Sequence, residues 1–237
     1  MSLQKTRIAA LTFGALGVAL TLLFHWLVFF WVPDVLGFRI AQRIYYIHVP
    51  AAWVAFLAFG MVAVCSVVYL WLREEKADQL AHAAAEGGLV FTTIVLTTGP
   101  LWARLQWGVW WTPDPRLTLT ALLWFVYLGY HLARGATENP ELGKKFAAVV
   151  GIVGAALIPL IHVSVLWWGG THPEPVVLNA AGSFADPEIE TVLFTAFAAW
   201  IFLFLSLVLL RYTAAQLEER VARASPSVLV SEGESRA

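Results

Sequence analysis

Apolar residues run along this chain in six long blocks, each closed by a short polar stretch. The blocks cover residues of about 8–32, 44–72, 82–101, 117–134, 146–168 and 190–211. A helix needs roughly 20 apolar residues to cross the hydrocarbon core of a bilayer, and each block is near that length. The pattern predicts an all-α integral membrane protein with six transmembrane helices over residues 1–212. The first block is too long for a signal-peptide core. No small-residue cleavage site follows it before Trp31-Val32-Pro33, so it is expected to stay as a span. Asp186-Pro187-Glu188 pairs a capping residue with a proline at the first helical position, so the sixth helix is expected to start there. Residues 213–237 form a polar tail. Its first part, AAQLEERVARA, is expected to extend as a helix, and the part from Ser225 onward is expected to be disordered.

Lysine and arginine sort by loop and give the direction. Lys5, Arg7, Arg73, Lys76, Arg134, Lys144, Lys145, Arg211, Arg220, Arg223 and Arg236 fall on one side of the six spans. Only Arg39, Arg43, Arg104 and Arg116 fall on the other. By the positive-inside rule both termini, with the polar tail, are expected in the cytoplasm. The outer segments are then 33–43, 102–116 and 169–189.

Composition narrows the function classes. Charged residues are 13% of the chain and hydrophobic residues 59%. A soluble domain carries about twice that charged share, so the surplus apolar surface must face lipid. A net charge of -1 leaves no footprint for nucleic acid. Cys65 is the single cysteine, which excludes a disulfide framework, a cysteine metal site and a Cys-x-x-Cys-His haem attachment. No phosphate-loop motif occurs, since Gly143-Lys144-Lys145 lacks the hydroxyl and the earlier glycine. Any ATP hydrolysis must come from a partner.

Topology then sorts the chemistry. His82 and His131 lie at cytoplasmic ends. His25, His48 and His162 lie toward outer ends, and His172 is in the last outer segment. A histidine inside a span is costly unless it faces the bundle interior or a cavity. His48 sits in RIYYIHVPAAW, two residues before Pro50. His162 sits in IPLIHVSVLWW, one turn after Pro159, where a bend can swing the imidazole off the lipid face. Two neutral imidazoles at one depth on separate helices suit a six-coordinate haem iron. The plainer reading is two hydrogen-bonded packing residues. His25, beside Trp26, reads as interfacial. His82 and Glu86, spaced i,i+4, read as a structural pair.

WGVWWTPDPRLT, residues 107–118, is the densest aromatic stretch of the outer side. An interfacial belt accounts for Trp26, Trp31, Trp71, Trp102 and Trp200. It accounts less well for Trp107, Trp110 and Trp111, which are expected in a loop with Gly108 between them and a turn at Asp114 and Arg116. Flat aromatic faces with Arg43 and Arg116 nearby fit a planar, apolar ligand that carries carboxylates.

These residues carry a resemblance. WGVWWTPDPRLT is similar to the tryptophan-rich "WWD" signature of haem-handling membrane proteins. Together with RIYYIHVPAAW and IPLIHVSVLWW it resembles the haem exporter/haem-handling C family (CcmC) of cytochrome c maturation. The resemblance implies haem b, bound non-covalently, with His48 and His162 as axial iron ligands. It implies contacts from Trp107, Gly108, Trp110, Trp111, Asp114 and Arg116, and a propionate role for Arg43. It implies a subunit of an ABC-type complex with CcmA, CcmB and CcmD in a bacterial inner membrane. Haem would pass on the periplasmic side to the chaperone CcmE, and the chain itself would not be an enzyme. The chain departs from the family pattern at Pro113, which replaces the last signature tryptophan. It also departs at Leu166 and around His172, where Thr171-His172-Pro173 stands. Three other readings stay open. One is a cytochrome b-type redox subunit that would use His82 and His131 for a second haem. Another is a pure transporter channel that moves haem across the membrane. The third is a CcsA-type haem exporter, which has more spans.

Overall fold

The computed structural model describes residues 2–35, 38, 40–172 and 186–234. Every regular element among them is helical: α1 Leu3–Phe30, α2 Ala41–Leu72, α3 Glu75–Trp107, α4 Pro115–Gly135, α5 Pro140–Ala155, α6 Leu157–Trp168 and α7 Pro187–Glu234. Five stretches are long and apolar enough to cross a membrane: α1, α2, α3, α5 with α6 as one span Pro140–Trp168, and α7 over Pro187–Arg223. The protein is an all-α, multi-pass membrane protein. α4 has 21 residues but carries Thr118, Thr120, Tyr127, Tyr130, His131 and Arg134 among its apolar residues, which lowers its hydropathy below that of the other five.

The helix ends follow local chemistry. Asn139 caps α5 through its side-chain oxygen to the amides of Glu141 and Leu142, with Pro140 at the first helical position. Asp114 caps α4 in the same way through the amide of Arg116, with Pro115 following. The interruption between α5 and α6 sits at Ala156, whose amide reaches back only to Val153 at 3.2 Å. Pro159 explains it: the ring has no N–H for the carbonyl of Ala155 and collides with it. The helix is thus interrupted one to two turns before His162, where a proline effect was expected.

Three boundaries differ from the hydropathy reading. α3 runs through Pro100 to Trp107, so the outer connection shrinks to residues 108–114 and Trp107 is helical. The connection between α2 and α3 is Arg73 and Glu74 alone, because charged residues from Glu75 onward extend α3. α7 continues past Ser225 to Glu234, where disorder was expected; the preceding AAQLEERVARA is rich in helix formers that carry the helix on.

α2 lies at the centre, packed along α3, α5 and α7, while α1 packs along α7 and α4 along α5. The largest core joins Val54, Phe59 and Val62 of α2 to Phe91 of α3, Tyr127 of α4 and Phe204 of α7. Phe59 and Tyr127 stack with centroids 3.7 Å apart. α1 is mostly outward: among its 28 residues only Thr6, Ala10, Gly17, Phe24 and Val28 are buried. Exposed Leu22, Phe30, Trp71 and Leu132 suit a hydrocarbon surround.

The end of the bundle that carries Arg73 and Arg134 is locked by ion pairs. Arg134 forks onto buried Asp78 at 2.7 and 2.6 Å, and Lys144 bridges Glu75 at 2.6 Å and Glu141 at 3.0 Å. Arg211 of α7 grips Glu86 of α3.

Candidate functional site

At the opposite end a cavity of about 240 Å³ opens among α2, α3, α4 and α6. Its walls are mostly apolar and aromatic. α2 gives Tyr45, Val49, Trp53 and Phe56; α3 gives Val95, Leu96, Pro100, Trp102 and Trp107; Trp111 closes one side. His48 of α2, His162 of α6 and His172 after α6 all line it, as does Arg116 of α4. The two histidines singled out from the sequence thus reach one chamber from separate helices. His25 does not: its Nδ1 lies 2.7 Å from the Thr21 carbonyl and its ring leans on Phe24. His82 and His131 lie at the other end, rings 5.2 Å apart, with His82 Nε2 3.7 Å from Glu86.

The polar groups around the cavity are arranged with care for hydrogen bonding. His48 Nδ1 lies 2.9 Å from Thr98 Oγ1. Gly99 lies against the same ring: a Cβ there would stand 3.2 Å from His48 Cε1. Arg116 reaches across to α6, donating from Nη2 to the His162 carbonyl at 2.9 Å and from Nε to the Ile161 carbonyl at 3.3 Å. Its Nη1 donates to His172 Nδ1 at 3.0 Å. Arg116 is therefore bound to the turn that carries His162.

Asp114 is the second tie. It is 3% exposed. Oδ1 accepts from the amide of Arg116 at 2.9 Å, and Oδ2 accepts from the amide of His172 at 3.1 Å and the hydroxyl of Thr171 at 3.5 Å. Burial pushes its carboxyl upward, but amides from His172, Arg116, Leu117 and Thr171 outweigh burial and hold it below the ordinary carboxylate value. Gly170 closes the contact. A Cβ there would collide with the Asp114 carboxylate, and its φ of 151° is one that other residues avoid. Asp114 and Arg116 thus fasten the Trp segment to the α6 end.

The tryptophans divide. Trp107, on the last turn of α3, meets Trp102 edge-on at 5.1 Å, and Gly108 ends the helix with φ 76°. Trp111 lines the cavity, whereas Trp110 is 57% exposed and is not part of its wall. Arg43 does not reach the cavity wall. It pairs with Asp34 at 2.6 Å and donates to the Val28 carbonyl, fixing the corner between α1 and α2.

Three lining residues escaped the sequence reading, Gly99, Trp53 and Phe56, and Trp102 was assigned to the interfacial belt; Thr98, which contacts His48, escaped it too. A small polar Thr-Thr-Gly-Pro run at 97–100, inside an otherwise apolar span, is the signal that α3 faces something there.

An all-helical membrane protein with a histidine-bearing aromatic chamber at a Trp-rich end defines the class. The CcmC family model, described as "Heme exporter protein C", matches residues 2–226. Similar proteins of that name come from Bradyrhizobium diazoefficiens (37% identical over 70% of this chain and 63% of that protein) and Rhodobacter capsulatus (34%, over 77% and 76%). Another is from Escherichia coli K12 (32%, over 72% and 69%). The aligned part is thus less than two thirds of the Bradyrhizobium protein. The chain belongs to the heme exporter protein C family.

Proposed function

We propose that this chain handles haem for cytochrome c maturation: it holds haem b non-covalently in the Trp-end cavity and presents it at the outer membrane face to a haem chaperone of the CcmE kind. The observation that carries the reading is that His48 and His162 line the same aromatic cavity as Trp107, Trp111 and Arg116. The name that the relatives bear agrees with it.

The residues present fit the group. Haem supplies an iron that takes two axial nitrogens, and neutral imidazole is a suitable donor. His48 and His162 would be those donors. Trp107 and Trp111 offer flat apolar faces. Arg116 places a positive charge in the wall, which favours carboxylates on that side. The cavity is smaller than the usual ligand pocket of about 300–1,000 Å³, so a macrocycle would leave an edge outside. An accessible edge suits transfer rather than storage. Exposed Trp110, Gly108 and the outer rim would meet the chaperone. Arg43 would meet a propionate only by giving up Asp34, so its first role is to hold the α1–α2 corner.

In this reading α4 is the sixth span, both termini are cytoplasmic and the cavity faces the periplasm of a bacterial inner membrane. The uneven sorting of lysine and arginine supports that direction. The chain binds and presents and is not an enzyme. ATP hydrolysis would belong to CcmA, in a complex with CcmB and CcmD. A redox subunit with a second haem is less well supported, since the cavity does not extend to His82 and His131.

The test is the absorption spectrum of the purified full chain. Wild type should show a six-coordinate, low-spin haem. His48→Ala and His162→Ala should each lose it. If either variant kept the wild-type spectrum, the ligand assignment would be wrong.

A further inference from the structure

Thr98 has two neighbours and one proton. Its Oγ1 lies 2.6 Å from the carbonyl oxygen of Ile94, one turn back on α3, and 2.9 Å from His48 Nδ1. Two oxygens at 2.6 Å repel unless a proton lies between them, and a carbonyl has none to give. The hydroxyl proton of Thr98 is therefore spent on Ile94, a common habit of threonine in helices. What Oγ1 offers His48 is a lone pair, so Nδ1 must carry the hydrogen. That leaves Nε2 of His48 bare, with its own lone pair. Gly99 adds a steric constraint: the ring lies so close to α3 that a Cβ would stand 3.2 Å from Cε1.

We infer that Thr98 is the positioning residue of the cavity: by accepting from His48 Nδ1–H it fixes the His48 tautomer and ring angle, so that Nε2 is set as a nitrogen ligand in advance. The consequence for haem rests on the reading given above, but the tautomer does not. An outer partner of this kind commonly raises metal affinity by 10–100-fold. Thr98→Val keeps the shape and removes the acceptor. Thr98→Ser restores it.

Two measurements on the full chain in nanodiscs test this. In the haem-free, ¹⁵N-histidine-labelled protein, the His48 resonances are those missing from His48→Gln. They should show the Nδ1–H tautomer in wild type and Thr98→Ser, and a mixture in Thr98→Val. In haem titrations, Thr98→Val should bind about 10–100-fold more weakly, and Thr98→Ser should bind like wild type. An Nε2–H tautomer in wild type would overturn the inference, as would a Thr98→Val protein with unchanged tautomer and affinity. If His48→Ala itself kept haem, the haem reading would fail, and the tautomer measurement would still decide the role of Thr98.

Discussion

Arg116 shows how one residue of the Trp signature serves two ends. Its charge borders the cavity, and its guanidinium holds the carbonyls of Ile161 and His162. Removing it frees the turn that bears His162. Arg116→Ala should raise the haem dissociation constant by about 10-fold or more, equivalent to ~1.4 kcal/mol, while a low-spin spectrum persists at saturating haem. Arg116→Lys should rescue little, because an ammonium lacks the planar fork that meets several acceptors at once. Haem titration of both variants checks this. Asp114 acts beside it. Folding lowers its affinity for a proton, so its stabilising effect is complete above about pH 4, the usual carboxylate range. The effect fades as the pH falls through the lower folded value. Hydrogen exchange at the amides of Thr171 and His172, corrected for intrinsic rates, should accelerate over that acid window in wild type. In Asp114→Asn it should be fast and without that step.

At the scale of elements, the close fit of α1 on α7 depends on small residues. A Cβ on Gly17 would stand 2.7 Å from Leu203 Cγ and 2.9 Å from the Leu203 backbone nitrogen. Backbone cannot rotate aside, so the helices would have to separate. Gly17→Ala should destabilise the bundle by about 1–3 kcal/mol, read as a lower unfolding midpoint in mixed micelles. The haem spectrum of the folded fraction should be unaffected, since α1 does not line the cavity. Five of the six expected spans were legible because each apolar block must satisfy its backbone within itself. The helix ends were less so. The third block was expected to end near residue 101, yet α3 runs on to Trp107, and hydropathy cannot register polar residues that face a cavity instead of water. The Pro159 interruption was readable because it follows from one residue's covalent chemistry; the turn expected at Asp114 is in fact the cap of α4.

For the whole molecule, the two ends differ in kind. One is stapled by Arg134–Asp78, Lys144–Glu75 and Arg211–Glu86; the other keeps an open aromatic chamber. That His48 and His162 would border one cavity could be anticipated from the sequence, because both stand in apolar spans near one border. That Arg43 is taken by Asp34, and that Thr98 attends His48, could not. Those contacts join positions whose relation depends on helix rotation, which spacing alone does not give. Direction across the membrane has its own check. In a Cys65→Ala background, Val109→Cys should react with an impermeant thiol reagent added from the periplasmic side, and Lys5→Cys should react only after the membrane is opened.

The most direct measurement is the electron paramagnetic resonance spectrum of the oxidised full chain loaded with haem. Wild type should give the low-spin signal of iron held by two imidazoles, and replacing either His48 or His162 with alanine should turn it high-spin or empty the site. A low-spin signal that survives in the double variant would contradict the account.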